Sequence, residues 1–247
     1  MDLNDKKVVI TGGGRRIGQA LVRSFAAKGA RIVIHCRHSE PEARALLEEI
    51  GGEAAGHGLY VCDLADLKNL EKTAPAMLKD ASVLINNASM FTRRKIDAET
   101  ESEIREQMTV NFSAPVQLMR HFSHCARKPG VVINLLDQGI CRPDEHSFSY
   151  GLSKKALADA TRTAALQLAP EIRVNGLAPG PVLPPAELPQ SGMEKTLRSV
   201  PLRRAVDLQD LCRGAVFLAE NDSVTGTILF IDCGQSLCQT PEAISHP

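Results

Sequence analysis

Seven short apolar runs punctuate the chain, at 7–10, 31–35, 58–62, 82–85, 131–136, 172–177 and 226–231. Each is rich in β-branched or aliphatic residues and too short for a stable helix, which predicts strands. Between them apolar residues recur at helical spacing over 17–27, 41–51, 67–78, 101–122, 148–168 and 208–220. Strands alternating with helices predict a parallel sheet covered on both faces, here a seven-stranded, doubly wound α/β fold in a single domain. The stretch 101–122 falters around Val110-Asn111-Phe112, where an asparagine inside a helix costs propensity and hints at another role. From Val182 to Pro201 the sequence is proline-rich and aperiodic, which suggests a lid over a substrate site, and the tail from Gln235 suggests an exposed or interface segment. There is no internal repeat.

The polar residues that break this pattern sit where strands end. The first strand runs into Thr11-Gly12-Gly13-Gly14-Arg15-Arg16-Ile17-Gly18 and then a helix. Strand, glycine turn and helix form the opening unit of a dinucleotide-binding (Rossmann) fold, where the backbone approaches a pyrophosphate and the helix N-terminus faces its charge. The second strand ends in His35-Cys36-Arg37-His38-Ser39, without an acid. A carboxylate there suits the ribose of NAD, whereas a guanidinium suits the extra phosphate of NADP, so the expected cofactor is NADPH/NADP. Asp63-Leu64 follows the third strand, and Asp63 either contacts adenine or caps the next helix. Asn86-Asn87-Ala88-Ser89 ends the fourth strand with small polar residues, and Phe91 follows, either as a platform for a flat ring or as packing under a loop. The fifth strand ends at Asp137, and Tyr150 and Lys154, four apart on the next helix, share a face. An ammonium beside a phenol favours the phenolate, so Lys154 is expected to lower the Tyr150 pKa toward a useful range.

Composition narrows the partners. Lys+Arg and Asp+Glu both number 29, so no net charge draws the chain to nucleic acid or a membrane surface. The seven cysteines form no C-x-x-C pair, which argues against a metal site or disulfide framework and for reduced thiols. With no apolar stretch of membrane-spanning length, a soluble cytoplasmic protein with a small-molecule substrate is expected.

Taken together, Thr11-Gly12 to Gly18, Asn86-Asn87-Ala88, Asn111, Tyr150-x-x-x-Lys154 and Arg173-Val174-Asn175 before Pro179-Gly180 resemble the short-chain dehydrogenase/reductase family over about residues 5 to 235. Two departures sharpen the resemblance. Asp137 stands thirteen residues before the tyrosine, where the family usually has serine, and Arg16 replaces the middle glycine. Both departures, with the basic end of the second strand and the Phe soon after Asn-Asn-Ala-Ser, are similar to the pteridine reductase branch. The resemblance implies cofactor contacts from Gly12, Arg15, Arg16, Ile17, His35, Arg37, His38, Ser39, Asp63, Leu64, Asn87, Ala88, Tyr150, Lys154, Pro179 and Gly180. It implies that Lys154 holds the nicotinamide ribose, that Asn111 holds a water near it, and that Asp137, Tyr150, Lys154 and Asn111 are the catalytic set. Arg16, Ser89, Phe91, Asp137 and Tyr150 would bind a pterin, and the assembly would be a homotetramer. Cys233 replaces a usual glycine, with a local adjustment expected.

The chemistry agrees with a pterin. A carboxylate at Asp137 faces a ketone oxygen badly, but accepts hydrogen bonds from ring N–H and amino groups. Two other readings stay open: an NADPH-dependent carbonyl or 3-oxoacyl reductase in which Ser147 or Ser149 assists, and a non-catalytic NADP-binding regulator.

Overall fold

A computed structural model describes residues 1–183, 197–198 and 200–238. Seven strands, β1 (Lys7–Ile10), β2 (Arg31–Cys36), β3 (Gly58–Val61), β4 (Val83–Asn86), β5 (Gly130–Leu135), β6 (Ile172–Pro179) and β7 (Ile228–Ile231), form one sheet. The order is β3-β2-β1-β4-β5-β6-β7 and every pairing is parallel. Among the described residues the sheet is flanked by the helices α1 (Arg16–Ala26), α2 (Glu40–Glu49), α3 (Leu67–Leu78), α4 (Glu101–Met108), α5 (Ala114–Cys125), α6 (Phe148–Leu168) and α7 (Leu208–Glu220).

The continuous apolar runs exist because the sheet buries both faces. Alternate residues serve opposite cores: Val8, Ile10, Val83, Ile85, Val131 and Ile133 pack with α1, α2 and α7. Val9, Leu84 and Val132 pack with α3, α5 and α6 on the other side. The helical stripes supply the complementary layers, Leu21 and Phe25 on one face, Leu118 and Phe122 on the other, all fully buried. Truncating such a leucine to alanine costs about 2–5 kcal/mol through lost transfer energy and the cavity left behind.

Two details differ from the sequence reading. β6 continues through Ala178 and Pro179, which pair with Phe230 and Ile231, because β7 offers ladder partners beyond Leu177. β7 begins at Ile228 instead of Gly226, because Gly226 takes a left-handed turn at φ +73°. The interruption at Asn111 is a π-turn over Thr109–Ser113 between α4 and α5. Most of the expected lid, residues 184–196 and 199, lies outside the described residues. Arg173 donates to the Leu218, Ala219 and Val224 carbonyls, satisfying the open C-terminal end of α7. Cys233 sits at φ +55°, the left-handed region that its usual glycine would favour, and this is the local adjustment at that position.

Candidate active site

Strand order reverses between β1 and β4, and their carboxyl ends open a crevice where α/β sheets bind ligands. The crevice floor is stitched by Thr11 and Asn87. The Thr11 hydroxyl accepts from the Asn87 and Ala88 N–H groups at 2.9 and 3.0 Å, while the Asn87 amide donates to the Thr11 and Gly12 carbonyls. Gly12 turns at φ +62°, and a Cβ there would lie 2.9 Å from the Ala88 Cα. The turn therefore brings main chain to the surface of a 530 Å³ cavity over β1, β2 and β3. Its walls carry the expected Arg15, Arg16, Ile17, His38, Ser39 and Leu64. Length, a glycine floor and a helix N-terminus together fit the pyrophosphate and adenosine of a dinucleotide.

His35 and Asp63 also line this cavity, and each makes bonds of its own within the protein. His35 is buried at 1% exposure, with Nδ1 accepting from the Gly12 N–H at 3.3 Å and Nε2 3.1 Å from the Cys62 carbonyl. Burial lowers its pKa to about 4, so the ring is a neutral strut under the glycine turn. Asp63 does not cap α3; Asp66 does, accepting from the Asn69 N–H at 2.9 Å. Asp63 accepts from the Ala65 N–H and pairs with Arg37 Nε at 3.0 Å. Arg37 lies in the cavity wall as expected, held by Asp63 and, at 3.6 Å, by Glu106. Arg15 pairs with Glu42.

A second cavity of 180 Å³ continues the first toward β5 and β6, and Arg16, Ile17, Asn87 and Ser89 line both. Asp137, Tyr150, Lys154, Pro179 and Gly180 complete it. The Tyr150 hydroxyl donates to Asp137 Oδ2 at 3.0 Å, and Asp137 Oδ1 accepts from the Gly139 N–H at 2.7 Å. Lys154, 3% exposed, donates to the Leu135 carbonyl at 2.9 Å, with Nζ 5.9 Å from the Tyr150 ring centre. Here the expected lowering of the tyrosine pKa is reversed. Burial, with the Asp137 carboxylate adding to it, pushes Tyr150 well above 10, while burial lowers Lys154 to about 8. The phenol is thus held protonated, with its proton directed at Asp137.

Arg16 adopts φ +53°, a left-handed conformation disfavoured for a side chain, at the wall common to both cavities. Phe91, 46% exposed, lines neither cavity, but its ring stands edge-on to Tyr150, centres 4.6 Å apart. Asn111 is fully buried behind the cleft. Its amide oxygen accepts from Met90 N–H and the Ser89 hydroxyl, and its nitrogen donates to the Met90 carbonyl and the Ser153 hydroxyl. All four side-chain positions are used, so the side chain anchors the 89–90 segment. Ser147 and Ser149 line neither cavity. The sequence reading missed Glu106, whose spacing of one residue before Gln107 and four before Val110 on α4 gave no sign that it faces Arg37.

A parallel sheet with a glycine turn at its switch point, and a tyrosine and lysine one turn apart beside it, defines a nucleotide-dependent oxidoreductase. The chain belongs to the short-chain dehydrogenase/reductase family: residues 13–236 match a family model described as enoyl-(acyl carrier protein) reductase. It is 31% identical to 3beta-hydroxysteroid dehydrogenase 1 of Eggerthella lenta, over 96% of this chain and 95% of that protein. It is 28% identical to dihydromonapterin reductase of Enterobacter sp., over 94% and 97% of the two chains. Among solved structures, FolM alternative dihydrofolate reductase 1 from Brucella canis, complexed with NADP, superimposes with a TM-score of 0.90 at 34% identity, covering 99% of each chain. Among the described residues no helix is long and apolar enough to cross a membrane.

Proposed function

We propose that this chain is an NADPH-dependent pteridine reductase that converts a dihydropteridine to a tetrahydropteridine. The observation that carries the reading is the Tyr150 hydroxyl donating to an Asp137 carboxylate inside the cleft. A carboxylate needs donors. Each Asp137 oxygen has one protein partner and a lone pair to spare, which suits the ring N–H and amino groups of a pterin. Relatives with pterin or folate reductase names, one of them bound to NADP, support the same reading.

NADPH, when bound, supplies the hydride that adds to the carbon of the ring C=N bond. The protein's part is placement and a proton. Gly12, Ile17 and the α1 N-terminus would hold the pyrophosphate, and Arg37 would meet the 2′-phosphate. Lys154 spends one N–H on Leu135 and keeps two for ribose hydroxyls. Tyr150 delivers its proton to the ring nitrogen beside the reduced carbon. Asp137 fixes the direction of that hydroxyl and grips the ring, and the guanidinium of Arg16 reaches the ring carbonyl from the wall common to both cavities. The phenol gives up its proton only as negative charge builds on the nitrogen, because a free phenolate beside Asp137 is disfavoured. We also propose a homotetramer, since Val116, Leu152 and Leu166 leave apolar surface exposed on α5 and α6.

The test is NADPH oxidation against a panel of dihydropterins, dihydrofolate, 3-oxoacyl thioesters, sugar ketones and steroid ketones. Turnover of a dihydropterin with the highest kcat/KM is expected. Turnover of ketones alone would replace the reading with a carbonyl reductase, and tight NADPH binding without any turnover would replace it with a regulator.

A further inference from the structure

The loop that carries Phe91 has little apolar packing to hold it. Residues 93–98 are all exposed, yet the loop closes over the N-terminus of α6, where Tyr150 sits. Its position is set by hydrogen bonds. Gln107 and Asn111 lie four apart on α4 and its π-turn, and Ser149 and Ser153 lie four apart on α6, so each pair shares a helix face. Two rungs join the faces: the Gln107 amide donates to the Ser149 hydroxyl at 2.7 Å, and the Asn111 amide to the Ser153 hydroxyl at 3.2 Å.

Each rung also grips the loop. Asn111 holds Ser89 and Met90, and the Gln107 carbonyl accepts from the Thr92 N–H at 3.2 Å, so Phe91 is clamped on both sides. Glu99 closes the outer rung. It accepts from the Gln107 amide at 2.8 Å, from the Ser149 hydroxyl, and from the Ser149 N–H at 3.2 Å. That last bond satisfies one of the open N–H groups at the start of α6, and the Phe148 N–H finds the Arg94 carbonyl. The Ncap residue Ser147 makes no side-chain cap bond, so the loop supplies the cap of the catalytic helix from outside it. Gln107 and Ser149 are 0% and 1% exposed. Glu99 is only partly covered, but with every group matched the trio is rigid, and breaking one member strands the others.

We propose that Glu99, Gln107 and Ser149 form a clasp that fixes the gap between Phe91 and Tyr150, and so sets how the flat substrate ring is seated. They are positioning residues that touch neither cofactor nor substrate. The inference rests on the reading of the Tyr150 cavity as the substrate site.

A reciprocal exchange tests it. Gln107→Glu sets two carboxylates against each other; adding Glu99→Gln restores one acid and one amide with the pairing reversed. We expect Gln107→Glu to raise KM for the dihydropterin roughly tenfold or more, since small misplacements of a bound ring are costly. The NADPH Kd stays within about twofold, and the double variant returns KM most of the way, as coupled neighbours do. Ser149→Ala, a smaller change, raises KM in the same direction if Gln107→Glu fails to fold. A second readout needs no substrate. The chain has two tyrosines, Tyr60 and Tyr150, so fluorotyrosine labelling gives two fluorine resonances. The Tyr150 signal should move in Gln107→Glu and return in the double variant. A wild-type KM with an unmoved Tyr150 resonance in folded Gln107→Glu overturns the clasp. A wild-type enzyme inert to dihydropterins overturns the pterin reading instead, and the fluorine spectra still decide the clasp.

Discussion

Over β1, β2 and β3 the cleft is shaped by main chain: a glycine at positive φ, carbonyls tied by Asn87, and a neutral His35 ring propping the turn from below. Over β4, β5 and β6 it is shaped by side chains drawn from distant segments, with Asp137, Tyr150 and Lys154 in the wall and Asn111 and Gln107 behind it. The first end presents a generic surface for a phosphate-bearing cofactor. The second holds charges and rings whose identity selects a substrate. A fault at the first end should therefore act on stability and cofactor affinity, and a fault at the second on substrate choice.

The largest effect that sharpens this contrast concerns His35. It is neutral in the folded protein down to about pH 4 but titrates near 6.5 when unfolded. Between those values the unfolded chain binds the extra proton, so stability is full above about 6.5 and falls as pH drops toward 4. At about 1.4 kcal/mol for each pH unit, the loss is about 3 kcal/mol. Urea unfolding from pH 7.5 to 4.5 should show this slope, and His35→Asn should flatten it; equal slopes would remove the strut from the account.

Next in size is Arg37→Ala. Losing a charge-assisted contact of about 1.5–3 kcal/mol should weaken NADPH binding roughly ten- to hundredfold and leave NADH nearly unchanged. Equal weakening of both cofactors would mean that Arg37 serves Asp63 and Glu106 and not a phosphate. Smallest is Arg16→Gly, at the boundary between the two ends. Relief of the left-handed strain should stabilise the fold by about 1 kcal/mol and raise Tm by about 2–4 °C, while dihydropterin KM rises. A lower Tm would show that Arg16 stabilises its own turn.

The two ends were unequally legible in the sequence. Strands and helices could be read because a doubly covered parallel sheet demands unbroken apolar runs, and helix α6 appears over the expected residues. The glycine turn was readable because its constraint is local. Charge placement was not. Tyr150 and Lys154 are neighbours by spacing, but nothing in that spacing shows that Lys154 turns to the Leu135 carbonyl while Asp137 takes the phenol proton's hydrogen bond. The sign of the tyrosine shift was therefore misjudged. Asp63 could be read as a cap because caps follow strands, but Asp66 three residues on is placed to do it. The Gln107 clasp left one trace, a buried amide four residues before Asn111, intelligible only once α4 and α6 are set side by side.

The central claim is that the carboxylate of Asp137 makes the substrate end a pterin site. Its most direct test is steady-state turnover of Asp137→Ser with a dihydropterin and with a ketone, alongside the NADPH Kd. A fall of roughly a hundredfold in kcat/KM for the dihydropterin is expected, as loss of a proton-transfer partner entails, with NADPH affinity unchanged. Wild-type dihydropterin turnover in that variant would contradict the claim.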